Sequence, residues 1–236
     1  MWTSLATDAD YIWLAVRTDQ NVKKHKGISL FVLPMDTPGI KVLPIHVMGE
    51  SDINQTYFED VRVPATTRVG AENEGWKLIT NQLNHERVTL CSSGMVERSL
   101  NDVRAWAQNT KLPDGTRVAD QEWVQVSLAR VYSRLEFLRL INWKIAWAST
   151  TGTLQPADAS STKVFGTEFY IEAHRLLMEI LGQHSYLKDD AAGTVLQARL
   201  ESSYRGLIIL TFGGGTNEVQ RDLIAVFGLG MPLAPR

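Results

Sequence analysis

Cysteine is nearly missing from this chain of 236 residues: Cys91 is the only one. That excludes an internal disulfide framework and a multi-cysteine zinc knuckle, and it fits a reducing, cytoplasmic setting. An excess of positive charge is missing too. With 24 Lys and Arg against 26 Asp and Glu, the chain has no basic surface of the kind that duplex DNA or anionic lipid needs, so nucleic acid is not an expected partner. No apolar run approaches the roughly 20 residues of a membrane span. Met1-Trp2-Thr3-Ser4 lacks a basic start leading into an apolar signal segment. Metal-ligand spacing is absent: His85 has no partner four residues on and no HExxH pattern, and His25, His46, His174 and His184 are scattered. Repeats and low-complexity tracts are lacking as well.

What is present is an ordinary globular composition, 44% hydrophobic and 21% charged, enough to build a core. Up to about residue 70 the pattern is short β-rich runs between turn residues. Tyr11 to Arg17 and Gly27 to Val32 read as strands, Pro34 to Gly39 as a turn, and Ile40 to Val47 and Thr56 to Val63 as further strands, the last stopped by Pro64. The chain opens directly into strand-like sequence with no cap or tail before it, which predicts that its beginning is missing. From Glu74 onward long helical periods take over, predicted at about 74–109, 119–150, 156–181 and 190–210, with a short helix from Thr216. The expected fold class is α+β: a small, mostly antiparallel β domain over 1–72, then an antiparallel bundle of four to five helices over 73–236.

On the first predicted helix, Trp76, Ile79, Leu83, Leu90 and Gly94 share one arc at roughly 100° per residue. Glu86 falls in the middle of that arc, which predicts a carboxylate on the buried side. Burial raises a carboxylate pKa toward the range useful for taking a proton at neutral pH, so Glu86 is a catalytic candidate. The structural alternative is neutralisation by Arg87 or by an arginine on a facing helix. Cys91 lies among apolar residues on the same predicted helix and reads as an inert thiol.

Phe212-Gly213-Gly214-Gly215-Thr216 runs straight into a helical pattern. Three glycines allow close main-chain approach of a ligand, and N–H groups at the helix start can meet an anion. The alternative is a tight interhelical turn with Thr216 as the N-cap.

These pieces together resemble the acyl-CoA dehydrogenase family. Phe58-Glu59-Asp60-Val61-Arg62-Val63-Pro64, then Val69-Gly70 and Glu74-Gly75-Trp76, resemble the signature that leads from that family's β domain into its C-terminal helical domain. Met1 to Ser4 resemble its flavin-contacting strand, Ala159 to Glu168 a core-helix pattern, and Gly213 to Arg221 the loop and helix near the flavin. The resemblance implies FAD as cofactor, an acyl-CoA as substrate and oxidation to the trans-2-enoyl-CoA. A Glu takes the pro-R α-proton while the β-hydrogen passes as hydride to flavin N5. Electron-transfer flavoprotein is the implied electron acceptor.

Many members carry that Glu just before the Gly-Thr of the glycine-rich turn, where this chain has Gly214. A smaller set carries it on the first C-terminal helix just before an Arg, and Glu86-Arg87 match this arrangement. The resemblance further implies Glu86 and Arg87 as catalytic residues. Asn84, Arg87, Gly214 and Gly215 match the substrate side, with the Gly214 N–H polarising the thioester carbonyl. Trp2, Ser4, Thr216 and Glu218 match the flavin side.

Two segments depart from the family pattern. Asn109-Thr110-Lys111-Leu112-Pro113-Asp114-Gly115 replaces an Arg-x-x-Phe-Gly segment that reaches a neighbour's FAD, and Glu179-Ile180-Leu181-Gly182-Gln183 replaces Gln-x-x-Gly-Gly. Such departures resemble the heteromeric acyl-CoA dehydrogenases of actinobacterial sterol side-chain breakdown. They imply a homo- or hetero-oligomer in which another subunit completes the site, and a branched or steroid-type acyl group. Two other readings stay open: a non-catalytic partner subunit or truncated remnant, and a related oxidase or monooxygenase.

Overall fold

The computed structural model describes residues 1–49, 53–187 and 195–233, and every side chain of the helix 75–89 except those of 84, 85, 87 and 88. The described chain is α+β, with two antiparallel three-stranded sheets followed by helices. It divides into two compact units, Met1–Leu83 and Asn84–Arg236.

In the first unit, β1 (Thr3–Ser4), β5 (Ile53–Phe58) and β4 (Ile40–Ile45) form one sheet in the order β1-β5-β4. The second sheet has β2 (Tyr11–Arg17), β3 (Ile28–Pro34) and β6 (Arg68–Val69), in the order β2-β3-β6. Alternation fixes the β2 register: Ile12, Leu14 and Val16 turn to the less exposed face, and the strand pairs in full with β3 from Tyr11↔Pro34 to Arg17↔Ile28. The fourth predicted strand is displaced. β5 starts at Ile53, takes in polar Asn54 and Gln55 and ends at Phe58, because Asp60 takes a left-handed φ of 51° that carries Val61 to Pro64 out of the ladder.

The way out of this unit is pinned by hydrogen bonds. Buried Ser29 receives the Asn73 N–H at 2.8 Å and pairs with the Thr18 hydroxyl at 2.7 Å, and Thr18 donates to Asn73 Oδ1 at 2.7 Å. Gly75 opens α1 (Gly75–Thr89) against β3, where a Cβ would stand 2.9 Å from the Ile28 carbonyl oxygen.

The first predicted helix is broken. α1 ends at Thr89 and α2 (Gly94–Asn109) begins after a turn through Leu90 to Ser93, so Cys91 sits in that turn and Gly94 is exposed. Then come α3 (Glu122–Thr150), α4 (Pro156–Leu181), α5 (Val195–Leu207) and the short α6 (Asn217–Leu223). Residues 190–194 of the fourth predicted helix lie outside the described residues. α4 is the centre of this unit. It packs against α2, α3, α5 and α6, and its buried residues run round the helix from Ala159 to Leu181. Val96, Leu100, Val103 and Ala107 of α2, and Val131, Leu135 and Leu138 of α3, close the core on it.

Candidate functional site

Glu86 lies on α1 with Ile79 and Leu83, and Leu90 follows in the turn; all four are half-buried, while Trp76 on the same predicted arc is exposed. The arc is therefore a half-covered face of this chain, and the full burial expected for Glu86 is not met. The helix end behind Glu86 is well held: its carbonyl receives Leu90 N–H at 3.1 Å and the Thr89 hydroxyl at 2.8 Å. The side chains of Asn84 and Arg87, both expected on the substrate side, lie outside those described.

The turn that follows α1 is fastened from two other helices. Asn142 of α3 donates to the Cys91 carbonyl at 3.0 Å and accepts Ser93 N–H at 3.3 Å, and the Tyr170 hydroxyl of α4 donates to the Ser92 carbonyl. These bonds satisfy main-chain groups that a helix break would leave orphaned. The Cys91 thiol is fully buried and points at the Lys163 carbonyl, 3.6 Å away. Burial pushes it up to about 12, so the inert reading of this cysteine agrees with its surroundings.

The glycine-rich turn has two left-handed residues, Gly214 at φ 69° and Gly215 at φ 96°. At Gly215 a Cβ would also lie 2.5 Å from Gln220 Nε2, so glycine is required there twice over. Gly213 is open, with its nearest atom at 3.7 Å. Gln220, fully buried, donates to the Gly214 carbonyl at 3.2 Å. Thr216 is the N-cap of α6, its hydroxyl oxygen accepting Val219 N–H at 3.3 Å while its own hydrogen stays available to a ligand. Glu218 is exposed in the first turn of α6.

Beneath this turn lies a residue that sequence reasoning missed. Lys163 is fully buried, and its Nζ donates to the Thr211 carbonyl at 3.1 Å, the Gly215 carbonyl at 2.7 Å and Asn217 Oδ1 at 2.7 Å. Asn217 Nδ2 in turn reaches Thr167 at 3.1 Å and Glu168 at 3.2 Å, and Glu168 pairs with Arg221 at 2.7 Å.

In the first unit, β1 carries Ser4 and Trp2 directly precedes it, the two remaining expected residues. Asn54 Nδ2 donates to the Thr3 carbonyl at 3.2 Å and β1 pairs with β5 through Thr3↔Asn54 and Ser4↔Ile53. On either side the backbone is strained, with Trp2 at φ 68° and Leu5 at φ 56°. Trp2 is 65% exposed and Ser4 is exposed as well. An exposed indole held on a strained backbone is a stacking face for a planar ligand. Each unit, taken by itself, carries groups that suit a flavin: a ring and a hydroxyl at Trp2 and Ser4 in the first, and an unobstructed Gly213 with the Thr216 helix cap in the second.

Comparison with known proteins decides the family. The family model described as "Acyl-CoA dehydrogenase, C-terminal domain" matches residues 73–229. The chain belongs to the acyl-CoA dehydrogenase family. It is 53% identical to acyl-CoA dehydrogenase FadE26 of Mycobacterium tuberculosis, over 100% of this chain and 60% of that protein, and 41% identical to FadE29 of the same organism over the same shares. Among solved structures it is similar to the ChsE4-ChsE5 complex from Mycobacterium tuberculosis, at 54% identity and a TM-score of 0.90, covering 99% of this chain and 60% of that one. It is also similar to the Tcur3481-Tcur3483 steroid ACAD, at 45% identity and a TM-score of 0.91, with the same coverage. The chain thus spans about 60% of the length of these relatives.

Two segments singled out as departures from the acyl-CoA dehydrogenase pattern have well-defined local structure. Residues 110–117 form a closed hairpin, with Leu112 N–H donating to the Thr116 carbonyl at 2.8 Å and Asp114 accepting from the Thr116 hydroxyl at 2.6 Å. That bond holds the Asp114 carboxyl below its usual range. α4 stops at Gly182, whose φ of 63° suits glycine alone.

Proposed function

We propose that this chain is the catalytic part of a cytoplasmic, FAD-dependent acyl-CoA dehydrogenase subunit acting on a branched or steroid-side-chain thioester. Residues 1–72 would belong to its middle β domain and 73–236 to its helical domain, a division that the family match starting at 73 supports. The observation that carries the reading is the exchange of acid between two positions: Gly214 has no carboxylate at the turn, while Glu86 stands on α1 with the turn that ends its helix fastened from α3 and α4. Bound FAD would supply the two-electron acceptor for the β-hydrogen.

The roles of the chain's own residues follow from their chemistry. Glu86 takes the α-proton, and Asn84 and Arg87 line the thioester and pantetheine path. The N–H of Gly214, with Gly215 beside it, meets the thioester carbonyl and stabilises the negative charge that grows there as the proton leaves. Trp2 and Ser4 hold the flavin ring, and Thr216 and Glu218 hold it from the start of α6. The open space at Gly213 leaves room for a bulky acyl group, which agrees with the steroid ACAD among the similar structures.

A second subunit of the same family, unlike this chain, completes the assembly, and electron-transfer flavoprotein takes the electrons. The similar ChsE4-ChsE5 and Tcur3481-Tcur3483 structures, each of two named components, support the unlike partner. The closed hairpin at 110–117, whose polar atoms serve one another, supports a chain that does not reach into a neighbour's FAD. Leu140, Trp143 and Trp147 add an apolar stripe at i, i+3, i+7 on α3, each at least 59% exposed, of the kind that marks a protein interface.

The test is anaerobic flavin bleaching by the full-length polypeptide, expressed with and without its partner. Faster bleaching by a steroid-side-chain acyl-CoA than by a straight-chain one is expected. Equal bleaching by both contradicts the substrate class, and reoxidation by oxygen as fast as by electron-transfer flavoprotein makes the protein an oxidase.

A further inference from the structure

The geometry points to Lys163 as the positioning residue that sets both the glycine-rich turn and the end of the Glu86 helix. The inference rests on the functional reading above, and deepens it. A buried ammonium is retained in a helix interior only where its donors are met by acceptors. Here three acceptors converge on it, and all belong to the segment that encloses the turn: the Thr211 carbonyl before it, the Gly215 carbonyl within it, and Asn217 after it. Two of those bonds are 2.7 Å long, in the range of charge-assisted contacts. Drawing the Gly215 carbonyl inward fixes the plane of its peptide. Gln220 does the same for the Gly214 carbonyl at 3.2 Å, and the two together define where the N–H groups of the turn are directed.

The same helical turn of α4 meets the other half of the site. The main-chain carbonyl of Lys163 accepts the Cys91 thiol at 3.6 Å and the Thr167 hydroxyl at 2.8 Å. Gly166 lets Cys91 settle directly on α4, and Tyr170 holds Ser92. Lys163 to Tyr170 therefore act as one strut. Its polar upper end grips the turn that carries the oxyanion donor, and its flank grips the turn that ends the helix of the base. Lys163 touches neither substrate nor flavin in this account. It acts through Gly215 and Asn217.

The experiment uses the full-length, FAD-loaded protein with its partner and compares Lys163→Met with Lys163→Arg. The expected result for Lys163→Met is FAD content near wild type, kcat lower by about 100-fold with KM changed only a few-fold, as for a site displaced by about 1 Å. Amide hydrogen exchange at 213–216 should be at least about tenfold faster, since the local opening that exposes these amides is no longer opposed. Lys163→Arg, which keeps the cation, should recover part of both. Wild-type exchange at 213–216 together with wild-type kcat in a folded Lys163→Met overturns the proposal. If Lys163→Met does not fold, Asn217→Ala removes one of the three acceptors, and the same two outcomes decide. Exchange does not depend on turnover. Faster exchange in the variant, in a protein whose wild type never bleaches with any acyl-CoA, would sink the dehydrogenase reading and leave the positioning role standing.

Discussion

Gly166 of α4 lies so close to Cys91 that a Cβ built on it would stand 2.6 Å from the Cys91 Cβ and 2.7 Å from its sulfur. Contacts of that length force something to move, and both partners here are in the core. Gly166→Ala should cost about 1–3 kcal/mol as an overpacked core position does, read as a lower thermal midpoint. Pairing it with Cys91→Ala, which removes the sulfur but keeps the Cβ, should recover part of the loss. Full stability in Gly166→Ala alone contradicts the close approach.

The glycines of the 213–215 turn are not equivalent. Gly215→Ala meets both a left-handed φ of 96° and the buried Gln220 amide, and the backbone strain alone is about 1–2 kcal/mol. It should lower stability and weaken flavin retention. Gly213→Ala, with open space around it, should be within about 0.5 kcal/mol of wild type. Thermal unfolding of the two variants side by side checks this, and equal losses would contradict the geometry.

His174 gives the helical unit a dependence on pH. It is buried, with Nδ1 2.9 Å from the Tyr170 carbonyl and Nε2 3.4 Å from the Ser99 hydroxyl. Burial, followed by the nearby Arg199 charge, holds its pKa below the ordinary 6.5, against the opposing hydrogen bond to Tyr170. The unfolded chain therefore binds a proton more readily than the folded one. The stabilising contribution is complete above pH 6.5 and is lost as pH falls toward the folded value, with a slope of up to about 1.4 kcal/mol per pH unit. Denaturant midpoints between pH 8 and pH 5 should fall in wild type and fall less in His174→Gln; parallel curves would contradict the assignment.

The α3 stripe makes a separate prediction about assembly. Trp143 and Trp147 are 66% and 65% exposed, so Trp143→Glu with Trp147→Glu should leave the fold intact. Light scattering of the full-length protein with its partner should then report a smaller species. An unchanged mass would mean that the stripe faces solvent.

Much of this architecture is legible in the sequence because it follows simple periods. The two-residue alternation of Tyr11 to Arg17 gives β2 residue for residue, and Pro156 at the first turn of α4 marks that helix start. The break between α1 and α2 was signalled by Ser92-Ser93-Gly94, a turn cluster overridden by the apolar residues on either side. The end of β5 depends on a left-handed Asp60, a backbone choice that alternation does not encode. Lys163 could have been found by the reasoning that picked out Glu86. It sits with Ala159, Gly166 and Tyr170 on one helical stripe, a charge amid buried positions. What no pattern announces is where its three acceptors come from, because Thr211, Gly215 and Asn217 lie some fifty residues away along the chain.

Glu86 is the proposed base, and the most direct measurement of that role is α-proton removal itself. The full-length, FAD-loaded protein is mixed with an acyl-CoA in deuterated solvent, and flavin bleaching and α-deuterium incorporation are followed for wild type, Glu86→Gln and Glu86→Asp. Both signals should fall by at least about 100-fold in Glu86→Gln, the scale of a lost general base, with FAD still bound and partial return in Glu86→Asp. Bleaching and exchange at wild-type rates in Glu86→Gln would contradict the assignment and leave Glu86 a structural carboxylate on α1.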